Sequence, residues 1–228
     1  MKNRLVNRVV YRTVFCTVSF FSLLFMTGFF TVGGSDRGYF TPDLFYFYTN
    51  LSNMLCLAVM LACLRTDVKN LAGGQAKYGR FLKYMKFSAT VIIAITFFAY
   101  GLLLGDPTSL RFWNDIGNLT YHVGCPLLFM LDTLIFDEKG SVGALDPLAA
   151  TALPIVYVVV IELMGARTGR YPYFFLDMGA LGFGGLMMWI GILLAFFLLV
   201  GYGLFLKDKR VKGKWDFSGT RLLGARED

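Results

Sequence analysis

The chain has 228 residues, of which 56% are hydrophobic and only 16% are charged, and its formal net charge is +7. An ordinary soluble domain carries about 25% charged residues, so this composition excludes a typical soluble globular protein. The positive charge does not indicate nucleic-acid binding, because the basic residues flank apolar runs, where such residues normally face anionic lipid.

Six apolar runs have the composition of segments that cross a hydrocarbon layer of about 30 Å. In chain order they cover residues 9–32, 43–64, 87–104, 119–136, 148–164 and 186–206. Every backbone N–H and C=O must be hydrogen-bonded within such a layer, so each run predicts a helix. The predicted fold class is all-α: a polytopic membrane protein with a six-span domain at residues 1–206 and a basic tail at residues 207–228.

The fifth run is the weakest of the six, because it is short and contains both Pro154 and Glu162. A proline inside a span usually kinks the helix, and neighbouring helices satisfy the carbonyl that the proline leaves without a donor. We therefore expect a kink in the fifth span.

The orientation follows from the distribution of Lys and Arg, because positively charged loops stay on the cytoplasmic side. With six spans, 18 basic residues fall on the side of the two termini and four on the other side. Both termini are therefore predicted to be cytoplasmic.

Polar residues within the second run form one predicted helix face. Tyr46, Thr49 and Asn53 are spaced i, i+3 and i+7, and Cys56 lies one turn further along the same face. Such a face is expected to point into the helix bundle. Threonine and asparagine at such positions commonly bond helix carbonyls or join neighbouring spans, and the residues alone leave this role open beside a chemical one.

The only histidine of the chain, His122, lies in the fourth run. An imidazole has an unperturbed pKa of about 6.5, which suits it to proton transfer near neutral pH. A buried, hydrogen-bonded structural histidine is the alternative. One histidine without a suitably spaced cysteine predicts no metal site.

The predicted topology places Thr49 and His122 at similar depths. Both runs pass from the outside inwards, and the rise of 1.5 Å per residue puts Thr49 about 9 Å and His122 about 5 Å below the starts of their spans. A hydroxyl and an imidazole at one level are the components of a nucleophile activated by an adjacent base. The similar depth of Thr49 and His122 favours the hypothesis that they form a catalytic pair.

Four further polar residues are candidates for supporting roles at that level. The amide of Asn50 or Asn53 is a candidate to stabilise an oxyanion. The carboxylate of Glu162 or Asp177 is a candidate to orient His122. Glu162 has a simpler alternative, in which it extends to the membrane interface or pairs with a nearby arginine.

Asp132 lies ten residues after His122, or about 15 Å deeper in a helix, and is too distant to be its partner. An ionisable side chain inside a span is costly and requires a reason. A hydrogen bond that packs helices together and a position on a proton path are the two roles considered for it.

Three sequence runs resemble a known family. They are Phe-Tyr-Thr-Asn-Leu-Ser-Asn at 47–53, His-Val-x-x-Pro-Leu-Leu-x-x-x-Asp at 122–132 and Tyr-Pro-Tyr-x-Phe-Leu-Asp at 171–177. The runs are similar to those of the bacterial six-span relatives of the androgen-induced membrane proteins, also called Pr-six-Pr predicted membrane proteins. The characterised animal members are intramembrane threonine hydrolases that cleave fatty acid esters of hydroxy fatty acids, so the resemblance implies Thr49 as nucleophile and His122 as general base.

The leading functional hypothesis is an intramembrane hydrolase of lipid esters that needs no cofactor and no metal. The expected partners are membrane lipids, including an ester substrate, and the expected location is the bacterial plasma membrane. One alternative is a small proton-coupled transporter in which His122, Asp132 and Glu162 form a polar path. Another is a lipid-binding membrane protein without turnover.

Overall fold

The computed structural model describes residues 2–26, 45–105, 108–109, 115–137, 139–211 and 214–215. These residues form two compact units, Met1–Asp137 and Glu138–Asp228. Six helical segments are long and apolar enough to cross a membrane, four in the first unit and two in the second. The prediction of an all-α polytopic membrane protein is thereby confirmed, whereas the cytoplasmic location of both termini stays a prediction.

The described residues of the first unit include five α-helices, which form four long segments. They are α1 (Lys2–Met26), α2 (Tyr48–Leu71), α3 (Arg80–Ala99), α4 (Ile116–Leu119) and α5 (Cys125–Phe136). A π-helical turn at Tyr100–Leu104 extends α3, and a second at Thr120–Gly124 joins α4 to α5. Because α1 and α3 each contact both α2 and α5, the four segments close into a bundle.

The core of this bundle is apolar over its central part. Phe15 of α1, Met60 of α2, Ile93 of α3 and Phe129 of α5 are almost completely buried against one another. All four cysteines of the chain belong to the same core and are free thiols. This apolar layer separates two polar regions of the bundle, one near the start of α2 and one near its end.

In the second unit, the part of the chain that the structure describes forms three α-helices and a short hairpin. The helices are α6 (Asp146–Ala150), α7 (Ala152–Thr168) and α8 (Met178–Lys209), and the hairpin pairs β1 (Arg210–Val211) with β2 (Lys214–Trp215) in antiparallel register. Large apolar side chains such as Val156, Leu163 and Leu199 are exposed on α7 and α8. Exposed apolar faces of this size are expected where a helix contacts lipid rather than water.

Several helix boundaries differ from the predicted runs. The second helix extends from Tyr48 to Leu71, and Phe45–Phe47 before it are not α-helical. Residues 43 and 44 of the predicted run lie outside the described residues. The third and sixth spans begin seven and eight residues before the predicted positions, at Arg80 and Met178. The added residues are rich in Lys and Arg in the third span and in Gly in the sixth, so hydropathy does not include them although their backbone is helical.

The predicted tail and the end of the first run are only partly described. Lys207–Lys209 belong to α8, and residues 210–211 and 214–215 form the hairpin. Residues 27–32 of the first predicted run and residues 212–213 and 216–228 of the predicted tail lie outside the described residues.

Near Pro154, where a kink is predicted, a single turn residue interrupts the helix. The helix stops at Ala150, Thr151 forms a turn, and α7 places Pro154 in its first turn. Proline lacks an N–H and its ring clashes with the carbonyl four residues earlier, so an uninterrupted helix through Ala150 is unfavourable. A second interruption occurs at Gly182, whose φ of 66° and ψ of 171° leave the helical region within α8.

Gly165 allows Tyr171 to pack against α7. A Cβ atom at residue 165 would lie 2.1 Å from Cε1 of the Tyr171 ring, far inside van der Waals contact. We expect Gly165→Ala to displace this ring and to lower the free energy of unfolding by about 1–3 kcal/mol, as overpacking does elsewhere. Titration with sodium dodecyl sulfate in mixed micelles, followed by circular dichroism, measures this change.

Gly191→Ala is the matched control, because Gly191 lies in α8 and a Cβ there meets no atom within 4 Å. Alanine favours helix over glycine by up to about 1 kcal/mol, so this variant should be unchanged or slightly stabilised. Equal effects of the two substitutions would contradict the packing role of Gly165.

Candidate active site

Thr49 lies in the first turn of α2, at one end of the first unit. It is the second residue of the helix and is buried, with 8% of its surface exposed. No side chain caps this helix start, and the Thr49 N–H has no hydrogen-bond acceptor among the described residues. Free N–H groups and the positive end of the helix dipole make such a position favourable for an anion.

Two asparagines of α2 connect this helix to the π-helical turn that precedes α5. The Tyr121 hydroxyl donates to Asn50 Oδ1 at 2.6 Å. The Asn53 amide nitrogen donates to the carbonyls of Thr49 at 2.9 Å and of Tyr121 at 3.4 Å. Thr49 and the residue before His122 are therefore joined through a short polar network.

Pro126 provides a physical reason for the π-helical turn at Thr120–Gly124. Its ring would clash with the carbonyl of His122 in a regular α-helix, and it has no N–H to donate to that carbonyl. The wider turn ends at Gly124, immediately before the α-helix that contains Pro126. Such π-helical turns occur frequently at functional sites, and this one contains His122.

The imidazole of His122 is held in one orientation. Its Nδ1 lies 3.1 Å from the carbonyl oxygen of Asn118. A carbonyl can only accept, so Nδ1 carries the proton of the neutral ring and Nε2 presents its lone pair. Nε2 has no hydrogen-bond partner in the described part of the chain, and the half-buried ring stacks on Tyr100 with 4.1 Å between centroids.

The structure brings the neighbourhoods of Thr49 and His122 together but does not join the two side chains. Within the described ranges, no hydrogen bond links the Thr49 hydroxyl to the imidazole. The contacts between the two helices at this level come from Tyr121 instead. The sequence analysis predicts no role for three residues near His122, namely Tyr100, Asn118 and Tyr121. Asn118 and Tyr121 belong to the same short polar run as His122.

The two supporting amides have different surroundings. Asn53 is almost completely buried, and both contacts of its amide nitrogen go to backbone carbonyls, which gives it a packing role in this state. Asn50 is oriented by the Tyr121 hydroxyl on its side-chain oxygen. The Thr49 N–H is a further candidate for an oxyanion donor, because it lies in the uncapped first turn of α2.

Glu162 and Asp177, the candidate orienting carboxylates, both belong to the second unit. Asp177 caps α8, because its Oδ1 accepts a hydrogen bond from the Ala180 N–H at 3.0 Å. The two carboxylate oxygens of Glu162 are buried and have no hydrogen-bond partner among the described side chains and backbone. The group that orients His122 through Nδ1 is the Asn118 carbonyl.

A buried cluster of charged side chains lies at the opposite end of the bundle. Among the described residues, this ion cluster comprises three cations and three carboxylates, namely Arg8, Arg12, Lys86, Asp67, Asp132 and Asp137. It links α1, α2 and α3 to α5 and to the residue that follows α5. Equal numbers of opposite charges leave the cluster neutral, as a buried ion pair requires.

Asp132 and Arg12 form the centre of the ion cluster, and both side chains are fully buried. The guanidinium donates from Nε and Nη2 to the two oxygens of Asp132, each at 2.9 Å, and from Nη1 to Asp67 at 2.8 Å. Lys86 also contacts Asp132. Asp132 therefore connects three helices, which corresponds to the packing role considered for it.

Tyr78 covers the ion cluster from the loop between α2 and α3. Its hydroxyl accepts from Arg12 and donates to Asp67, and its ring lies 5.7 Å from each of the Arg8 and Arg12 guanidinium carbons. Burial raises the pKa of the Tyr78 phenol above its usual value, so the hydroxyl keeps the proton that it donates.

The carboxylates of the ion cluster pair with basic residues on which the predicted orientation of the chain depends. These residues are Arg8, Arg12 and Lys86, and each forms an ion pair with an acidic side chain of another segment. Their partners are about 50 or more residues distant in the sequence, so spacing along the chain gives no indication of the pairs.

Within the described ranges, no group of three or more His, Cys, Asp and Glu side chains is arranged to hold a metal ion. Comparisons of the chain with protein-family models, with curated proteins and with solved structures give no match. The resemblance to the androgen-induced membrane proteins therefore rests on the three sequence runs alone.

Proposed function

We propose that the chain is an intramembrane hydrolase of lipid esters, with Thr49 as the nucleophile and His122 as the general base. The observation that carries the proposal is the orientation of His122, whose Nδ1 is engaged by a backbone carbonyl while Nε2 remains able to accept a proton. A general base in this tautomer is ready to take a proton from a hydroxyl. The resemblance to intramembrane threonine hydrolases points to the same pair.

The proposed reaction begins with proton transfer from the Thr49 hydroxyl to His122 Nε2 as Thr49 Oγ attacks the acyl carbonyl. The resulting oxyanion is stabilised by the Thr49 N–H and by the positive end of α2. Collapse of the intermediate breaks the ester bond, and the histidine returns its proton to the alcohol that leaves. Water then attacks the acyl-threonine with His122 again as base, which releases the fatty acid and restores the hydroxyl.

The proposal requires the Thr49 hydroxyl and Nε2 to approach hydrogen-bond distance when the ester binds. Catalytic hydrogen bonds are often long or poorly aligned without substrate and tighten in the complex. The polar contacts through Asn50, Asn53 and Tyr121 hold the segments that contain the two residues next to each other.

In the alternative function, a proton-coupled carrier, Asp132 would lie on the path of the protons. Both oxygens of Asp132 are engaged by Arg12, and one also by Lys86. A carboxylate on a proton path must be free to exchange its partners, whereas both oxygens of Asp132 are held in buried ion pairs. This pairing favours the hydrolase over the carrier.

Labelling with a fluorophosphonate probe tests the proposed function directly. We expect the purified parent protein to be labelled on Thr49 and Thr49→Ala to be unlabelled, with the modified residue located by mass spectrometry. Thr120→Ala is the matched control, because the Thr120 hydroxyl donates to the Ile116 carbonyl close to His122, and it should be labelled like the parent. An unlabelled parent would favour lipid binding without turnover, and equal labelling of Thr49→Ala would exclude Thr49 as nucleophile.

A further inference from the structure

We infer that Tyr100 is a positioning residue for His122, which it holds by ring stacking and by a hydrogen bond to Asn118. The inference rests on the proposed function, in which His122 is the base. Neither the sequence runs that carry the family resemblance nor the predicted polar face of the second span includes Tyr100. It is the first residue of the π-helical turn that extends α3.

The first contact is between the two rings. Their centroids are 4.1 Å apart and their planes differ by 19°, which is a stacked arrangement. Tyr100 is 8% exposed, so its own ring is fixed by the surrounding bundle. A fixed aromatic ring against one face of the imidazole restricts rotation of the histidine about its terminal side-chain bond.

The second contact passes through Asn118, which touches both residues. The side-chain nitrogen of Asn118 donates to the Tyr100 hydroxyl, and its backbone carbonyl accepts from His122 Nδ1. Tyr100, Asn118 and His122 therefore form a closed set of three contacts. Rotation of the imidazole would break the stacking and the Nδ1 hydrogen bond together.

The chemical consequence is a single tautomer. While Nδ1 donates to the Asn118 carbonyl, the proton cannot lie on Nε2 of the neutral ring. Without the Tyr100 ring, the imidazole can turn away from this carbonyl, and the two neutral tautomers then interconvert. Tyr100 touches no reacting atom in the proposed reaction and acts through His122.

Nitrogen-15 NMR of the imidazole tests the inference without any measurement of activity. His122 is the only histidine, so labelled histidine gives one pair of ring signals. At pH 8 in micelles, we expect the parent to show one tautomer with the proton on Nδ1. We expect Tyr100→Leu to show averaged shifts from a tautomer mixture, and Tyr84→Leu, a tyrosine change at the other end of α3, to match the parent.

Two milder variants test the same inference if Tyr100→Leu does not fold. Tyr100→Phe and Asn118→Ala remove the same hydrogen bond from its two ends while keeping the stacked ring and the backbone carbonyl. We expect each to cause the same small shift, and the double variant to cause no larger one. Additive shifts from the two changes, or a signal in Tyr100→Leu identical to that of the parent, would overturn the inference.

The two proposals fail in different ways. If the parent shows the single tautomer and Tyr100→Leu the mixture, but the parent cleaves no lipid ester, the positioning by Tyr100 stands and the hydrolase proposal falls. If the parent is active and the tautomer is independent of Tyr100, the positioning inference alone is overturned.

Discussion

Asp132→Ala is expected to lower the free energy of unfolding by about 3–5 kcal/mol, the cost of removing one partner from a buried ion pair. The side chain is fully buried between Arg12 and Lys86, so its removal leaves an uncompensated positive charge inside the bundle. Titration with sodium dodecyl sulfate in mixed micelles, followed by circular dichroism, measures the change.

Two further variants separate charge from packing. Asp137→Ala is the control within the ion cluster, and it should cost less because 27% of its side chain is exposed and water can replace the lost interaction. The double variant Arg12→Met with Asp132→Leu leaves the pairs Arg8–Asp67 and Lys86–Asp137, which are balanced. We expect it to be more stable than Asp132→Ala, and a further loss of stability would contradict the charge-balance argument.

Thr49→Ala and His122→Ala are each expected to lower kcat for lipid ester hydrolysis by at least about 100-fold, within the range of 10²–10⁴ for general acid–base catalysis. The substitutions remove the attacking hydroxyl and the group that accepts its proton. Release of fatty acid from an ester presented in micelles, measured over time, gives the rates. Thr49→Ser keeps a hydroxyl on the same carbon and should retain part of the activity.

The double variant tests whether the two residues act together. Members of one catalytic unit are strongly non-additive, so Thr49→Ala with His122→Ala should be no slower than the slower single variant. If the decrease in kcat of the double variant equals the product of the two single decreases, the residues have independent roles. Full activity of either single variant would contradict the proposed mechanism.

The six spans were predictable because the membrane imposes one strong requirement, that backbone polar groups be satisfied within apolar segments. The interruption of the helix before Pro154 was predictable for a similarly local reason, the missing N–H of proline. The helix start at Tyr48 was not predictable, because hydropathy does not distinguish an apolar turn such as Phe45–Phe47 from an apolar helix.

Local composition is enough to identify the segments that are apolar enough to span the membrane and the polar residues within them. The pairing of those residues depends on how the helices pack. Arg12 meets Asp132 across 120 residues, and the orientation of His122 comes from the Asn118 carbonyl and the Tyr100 ring rather than from a carboxylate. Such contacts depend on helix packing and on a π-helical turn. No sequence pattern predicts which residues these features bring into contact.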